Sequence, residues 1–379
     1  MIYDIVRNDN FKEEKMKIGI VGLPNVGKST LFNALTKIQV DAKNYPFCTI
    51  DPNIGVVNVP DERLDILTKI YNPDKRTPAM IEFVDIAGLV EGASRGEGLG
   101  NKFLSHIREV DAISQVVRCF TDDNITHVNN KIDPINDIET INLELMLADM
   151  STIEKRLDKT KKKAKSGDKE YLKELEELKE LQEALESGKN IRQIELSKTG
   201  QRLTKELKLL SAKPTIYVCN VNEDKIGDVN NAYVEMVKAY AKDEGAEVIT
   251  VSAQIEADIA ELDEEDKQLF LEDLGIKNSG LDRLIRAGYR LLDLITFLTA
   301  GEKEVRAWTV KRNSTAPHAA GKIHSDMERG FIRAEVVSFG DLTDTGSYKD
   351  AREKGVLRLE GKDYIIHDGD VCNFRFNVS

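Results

Sequence analysis

At 379 residues and 41 % hydrophobic, the chain can bury a sizeable core and fill about two or three domains. A net charge of −12 excludes a generally sticky nucleic-acid binder, so any RNA contact must come from a local basic patch. Four scattered cysteines and five histidines show no zinc spacing, and the longest apolar candidate, Leu284 to Ala300, carries Arg286, Arg290 and Asp293, which excludes a membrane span.

Residues 1–15 carry acidic residues and no apolar core, so they are read as a disordered or dispensable extension and not as a signal peptide. With unpaired cysteines, this predicts a cytoplasmic protein. From Met16 the run to Val21 predicts a strand, Gly22-Leu-Pro-Asn-Val-Gly-Lys28-Ser29 a glycine-rich turn, and Thr30 to Leu35 a helix start. Such a turn aims successive backbone N–H groups at one spot, which assigns Asn25, Val26, Gly27, Lys28, Ser29 and Thr30 to the phosphates of a nucleoside triphosphate. Lys28 adds a cation, and the Ser29 hydroxyl is placed to ligate Mg²⁺.

The turn-rich segment Asn44-Tyr-Pro-Phe-Cys-Thr49 offers the Thr49 hydroxyl as a second Mg²⁺ ligand. The strand Ile81 to Val84 ends in Asp85-Ile-Ala-Gly88, an arrangement that sets a carboxylate near the metal and the Gly88 N–H near the γ-phosphate. Glycines at 88, 92, 96, 98 and 100 describe a loop that can gate the site. A further strand, Ala112 to Cys119, carries Gln115. Strands alternating with helical patterns predict a parallel α/β sheet.

Between about Ile138 and Ser211 strand signals vanish, and Leu172, Leu175, Leu178, Leu181 and Leu185 recur at helical spacing amid Glu and Lys. Ser166-Gly167-Asp168 turns this inserted arm back on itself and Ser187-Gly188 breaks it again, which predicts an antiparallel helical hairpin with the leucines as its own seam. Lys155 to Lys165 holds seven cations and one acid. That run reads either as a solvated helix face or as an RNA-contacting patch.

The α/β regime resumes at Pro214 with the strand Thr215 to Cys219, a helix near Tyr233 to Ala241, the strand Glu247 to Val251 and a long helix from about Leu281 to Thr299. The strand Thr215 to Cys219 runs into Asn220-Val221-Asn222-Glu223, where a guanine reader carries Asn-Lys-x-Asp. Guanine presents two N–H donors that a short carboxylate accepts, and the longer Glu223 displaces that carboxylate by about a methylene. Asn220 Oδ1 and the Val221 carbonyl can accept from the adenine amine, which favours ATP; a different Glu223 rotamer that still reaches guanine stays open. From about Asp293, short strands at Val305 to Val310, Ile332 to Val337, Asp363 to Ile366 and Val371 to Phe376, with little helix between them, predict a small α+β module.

Taken together, the phosphate loop, Asn-x-Pro-Phe-Cys-Thr-Ile, Asp-Ile-Ala-Gly-Leu, Asn-Val-Asn-Glu, Glu304-Val-Arg-Ala-Trp-Thr309 and Ala320-Gly-Lys-Ile-His324 resemble the YchF family of Obg-like ATPases from Met16 onward. The resemblance implies an α/β P-loop NTPase G domain over 16–137 and 212–292, a coiled-coil arm over 138–211, and a C-terminal ubiquitin-like TGS domain over 293–379. It also implies a slowly hydrolysing ATPase, expected as a monomer, with Mg²⁺ as cofactor and the ribosome as partner; the alternative is a nucleotide-gated docking module with incidental hydrolysis.

Leu89 stands where Ras-type proteins place a water-orienting Gln, so unaided turnover is expected to be slow. Some relatives carry a proposed catalytic His where this chain has Gln115, which can orient water or serve only the apolar strand around it. Asn25 matches the residue that helps bind K⁺ in potassium-dependent relatives, and Arg95 in the glycine-rich loop is the rival source of positive charge.

Overall fold

The structure, a computed structural model, describes residues 16–38, 53–86, 99–121, 132–226 and 231–377. Thr49, Gly88 and Arg95, the extension 1–15 and most of the glycine-rich loop lie outside the described residues. The chain divides into two compact units, one holding Lys17–Val56 and Glu82–Gly288, the other Val57–Ile81 and the chain from Tyr289 onward.

The first sheet has the order β2-β4-β1-β5-β6-β7, with β1 Lys17–Val21, β2 Ile54–Asn58, β4 Met80–Asp85, β5 Ala112–Arg118, β6 Thr215–Asn220 and β7 Glu247–Val251. β1 lies between β4 and β5, and β6 between β5 and β7, all parallel. β5 and β6 are buried along their whole length, which is why their sequences read as near-continuous apolar runs instead of alternating. In a sheet of this kind ligands sit outside the carboxyl ends of the strands, where β1, β4 and β6 deliver the phosphate loop, Asp85 and Asn220.

The inserted arm leaves this unit through the helix Pro134–Ala164 and returns through Lys169–Glu186. The expected turn is present: Gly167 adopts φ 78°, a left-handed conformation that suits glycine, and the Asp168 carboxylate caps the second helix at the Glu170 N–H, 2.8 Å away. Leu178, Leu181 and Leu185 bury against Ile153 and Leu157, whereas Leu172 at the outer end is 43 % exposed. A third helix, Lys198–Glu206, adds Leu203 to the same seam. Truncating one such buried leucine to alanine costs about 2–5 kcal/mol. Inside the seam Glu174 accepts from Arg156 Nε and Thr160 Oγ1, both at 2.7 Å, and this pairing holds its carboxyl below the usual carboxylate range despite burial. Asp149, fully buried, closes the base of the arm by accepting from the Leu210 N–H, the Ser211 N–H and the Ser211 hydroxyl at 2.7–2.8 Å.

The second unit is built on a sheet of order β11-β10-β12-β8-β9-β3, with β3 Lys75–Thr77, β8 Leu294–Ala300, β9 Glu304–Lys311, β10 Phe331–Ser338, β11 Arg358–Glu360 and β12 Asp370–Phe376. β8 and β9 form an antiparallel hairpin, β12 joins β8 in parallel and β10 in antiparallel sense. The helix Ala316–Ile323 packs Ala316, Ala319 and Ala320 onto Phe297, Trp308 and Phe374 of the sheet.

Three expectations fail here. The long helix expected to run to Thr299 stops at Leu291, because Asp293 turns left-handed at φ 53° and the β-branched, aromatic run that follows pairs with β9 as β8. The module holds more helix than expected, with Ala316–Ile323, Ser325–Arg329, Phe339–Thr345 and Tyr348–Glu353, while Asp363 to Ile366 makes only an isolated bridge between Ile365 and Thr315. Finally, 16–137 is not one continuous piece: β3 runs parallel to β9 with Lys75 opposite Glu304, and Arg63 pairs with Asp368 at 2.7 Å, so Val57–Ile81 belongs with the C-terminal unit. A strand of three polar residues has too little periodicity to reveal this in sequence.

Candidate nucleotide-binding site

The phosphate loop follows β1 directly, and two of its residues take left-handed backbone, Asn25 at φ 63° and Gly27 at φ 92°. Gly27 caps the helix Lys28–Lys37 without a side-chain bond, leaving the N–H groups of the first turn available to an anion. Glycine is required at 27 on space as well as conformation, since a Cβ there would lie 2.1 Å from Asn220 Nδ2. Ser29 on the first turn is exposed and Thr30 is half-buried. Val26 beneath them is buried.

Lys28 and Asp85 are brought together: the Lys28 ammonium contacts Asp85 Oδ1, with side chains 10 % and 22 % exposed. The carboxylate at the end of β4 thus holds the loop's cation. Asp85 is fixed in turn through its backbone N–H, which donates to the Asn53 carbonyl at 2.8 Å.

Asn220 takes a part different from a free acceptor. Its Nδ2 donates to the Val26 carbonyl at 3.0 Å and its Oδ1 accepts from the Ala253 N–H at 2.9 Å, in a position 5 % exposed. The side chain therefore clamps the phosphate loop to the segment after β7, and of the acceptors expected for a base Asn220 Oδ1 is already engaged. Val221 is buried and donates its N–H to the Val251 carbonyl at 2.8 Å, while Glu223 opens the short turn Glu223–Lys225 and is exposed. Asn222 ties this turn to the end of β5 by donating to the Thr121 carbonyl at 3.2 Å.

Gln115 is buried within the sheet, beside the end of β1. It lies within β5 opposite Val21 and Tyr217 at 1 % exposure. Sequence reasoning missed Ala253, whose backbone completes the Asn220 clamp. The available signal was a strand, Glu247 to Val251, ending in the small pair Ser252-Ala253 on the same edge of the sheet.

A family model described as a 50S ribosome-binding GTPase matches residues 17–148, and the C-terminal model of the YchF-type GTPases, described as a protein of unknown function, matches residues 294–377. A Bacillus subtilis protein named as the ribosome-binding ATPase YchF is 60 % identical over 361 residues, 95 % of this chain and 99 % of that one. The chain belongs to the YchF family. The protein of the same name from Escherichia coli O157:H7 is 55 % identical over 96 % of this chain and 99 % of its own. A solved structure of the Schizosaccharomyces pombe YchF GTPase, 38 % identical, superposes with a TM-score of 0.86 over 95 % of this chain and 98 % of that one. The fold of this YchF-family member is accordingly an α/β P-loop G domain with an inserted helical arm and a TGS-like α+β domain at the C-terminus. Among the described residues no helix is long and apolar enough to cross a membrane.

Proposed function

We propose that this chain binds ATP with Mg²⁺ at the corner formed by the phosphate loop, Asp85 and the turn after β6, hydrolyses it slowly, and acts with the ribosome in the cytoplasm as a monomer. The observation that carries the nucleotide reading is the Lys28–Asp85 contact beside a left-handed phosphate loop whose first helical turn is uncapped. The names of the relatives support ATP and the ribosome.

The donor set suits a hard divalent cation, since Ser29 and Asp85 offer oxygens at one corner; Thr49 is assigned as the further ligand. Bound there, Mg²⁺ would neutralise charge on the β- and γ-phosphates. This chain's residues do the rest. Backbone N–H groups from Asn25 to Thr30 cradle the phosphates, and Lys28 exchanges Asp85 for phosphate oxygen, which frees the carboxylate for the metal. The Gly88 N–H is assigned to the γ-phosphate, and the burial of Gln115 supports a part in the sheet. The missing glutamine at Leu89 is met by K⁺ held at Asn25 or by Arg95; replacing K⁺ with Na⁺ at constant ionic strength lowers the ATPase rate if Asn25 holds the ion, and Arg95→Ala abolishes activity if it does not.

Adenine is chosen because Val221 and Glu223 replace the Lys and short acid that read guanine. Calorimetry with both nucleotides tests this: ATP is expected to bind at least several-fold tighter, and equal or tighter GTP binding refutes it. A second reading is docking with incidental hydrolysis; the absent glutamine favours slow, partner-stimulated turnover, which lies between the two, and the steady-state ATPase rate with and without ribosomes decides.

A further inference from the structure

The base of the arm contains a buried ionic group that neither the hairpin's seam nor the phosphate corner requires. Arg192 sits in the short turn Ile191–Gln193, with its side chain 8 % exposed and that of its partner Glu244 1 % exposed. Arg192 Nη2 donates to Glu244 Oε2 and to Asn142 Oδ1, each at 3.0 Å, and to Tyr217 Oη at 3.3 Å. The Tyr217 hydroxyl itself donates to Glu244 Oε2 at 2.7 Å. Asn142 belongs to the outgoing arm helix, Tyr217 to β6, and Glu244 ends the helix Ala232–Glu244, so one guanidinium joins the arm to two elements of the nucleotide unit.

Well-packed apolar residues often replace a buried ion pair without loss of stability, so packing alone does not call for this one. Its satisfaction is also incomplete, since Arg192 Nη1 has no acceptor among the described residues. A buried charge that loses its partner is heavily disfavoured, so the pair is either made or exchanged; it does not stretch gradually. Tyr217 shares β6 with Asn220, the residue that grips the Val26 carbonyl of the phosphate loop and the Ala253 N–H.

We propose that Arg192, Glu244 and Tyr217 form a positioning joint through which a partner docked on the arm alters the seating of β6, and with it the Asn220 clamp on the phosphate loop. The proposal rests on the reading above that the chain acts with the ribosome, and of the two readings of the run Lys155 to Lys165 it takes the RNA-contacting patch. Coupling of this kind is reciprocal, so the bound nucleotide must change ribosome affinity by the factor with which the ribosome changes nucleotide affinity.

The test compares ribosome affinity in a non-hydrolysable ATP analogue and in ADP. The wild-type ratio is expected to be about fivefold or more. Arg192→Met/Glu244→Leu removes both charges at similar volume, and Tyr217→Phe removes one hydroxyl. Each is expected to keep ATP affinity without ribosomes within about twofold while the ratio falls below about twofold. Reversal of the arm lysines, in contrast, weakens binding in both nucleotides and keeps the ratio. Equal wild-type affinities, or a ratio that survives in Tyr217→Phe and in the double variant, overturn the joint; if the double variant does not fold, Tyr217→Phe decides. If the wild type does not bind ribosomes, the docking reading fails by itself. Amide hydrogen exchange at residues 190–193 then decides: a difference between the ATP analogue and ADP that Tyr217→Phe abolishes supports the joint, and identical exchange overturns it.

Discussion

The phosphate corner and the tip of the arm are both cationic, yet they are built in opposite ways. At the corner a single lysine is buried and tied to Asp85, and the surrounding contacts are backbone groups fixed by Gly27 and by the Asn220 amide. At the tip Lys155, Lys159, Lys161, Lys162, Lys163 and Lys165 are all exposed, and Lys163 lies over the Tyr171 ring, 5.1 Å from the centroid. Fixed geometry in a shielded place makes each contact count and makes salt matter little, whereas a row of solvated charges works by number and is screened within about 10 Å at 0.1 M salt. The corner is suited to recognising one small anion, the tip to a polyanion.

The largest effect that separates the two is expected at the corner. Lys28→Ala removes a preorganised cation from the phosphates and should lower the ATPase rate by about 10²- to 10³-fold in a phosphate-release assay, with no change in the salt dependence of ribosome binding. Asn220→Ala comes next: it leaves the buried Val26 carbonyl and Ala253 N–H unpaired, and should cost about 2–4 kcal/mol in urea unfolding together with about tenfold in ATP affinity. A stable variant with normal ATP affinity would show that the clamp is dispensable.

At the tip, reversing Lys161, Lys162 and Lys163 to Glu should leave ATP affinity and melting temperature nearly unchanged. Ribosome co-sedimentation should weaken by about tenfold at low salt, and the slope of log affinity against log salt should flatten by about 3, one for each phosphate that a lysine no longer neutralises. Unaltered sedimentation at every salt concentration would reduce the run to a solvated helix face. The smallest effect belongs to the arm's interior, where Glu174→Gln should cost about 1 kcal/mol. Because Arg156 holds the Glu174 carboxyl below its ordinary value of 4.5, its contribution is complete above that pH and is lost as pH falls through the lowered value. The melting-temperature gap between wild type and variant should stay constant from about pH 7 down to the ordinary value of 4.5 and close as the pH falls on through the lowered value.

Elements whose pattern is carried by neighbouring residues are legible in the sequence. The phosphate loop, the Ser166-Gly167-Asp168 turn and the leucine seam each follow from spacing within a single segment, because anion binding at a helix start, a left-handed turn and a helical face are local requirements. Other features are not legible in that way. Leu294 to Ala300 has the apolar density of the helix before it, and only pairing with β9 makes it a strand. Asn220 falls at the end of β6 as its sequence context predicts, yet its acceptor is already engaged by the N–H of Ala253, two residues past the adjacent end of the neighbouring strand β7 and 33 positions away in the chain.

By itself, then, the sequence determined that a strand, a phosphate loop and a helix stand together, that an acidic strand end serves them, and that a charged hairpin interrupts the domain. Tertiary structure alone decided that Lys75–Thr77 completes the C-terminal sheet, that Asn220 clamps the loop, and that Arg192 at the arm's base meets Glu244 and Tyr217. The reason is physical: periodicity and turn chemistry act over a few residues, whereas strand pairing and buried polar partners depend on groups tens to hundreds of residues apart, whose meeting no local pattern encodes.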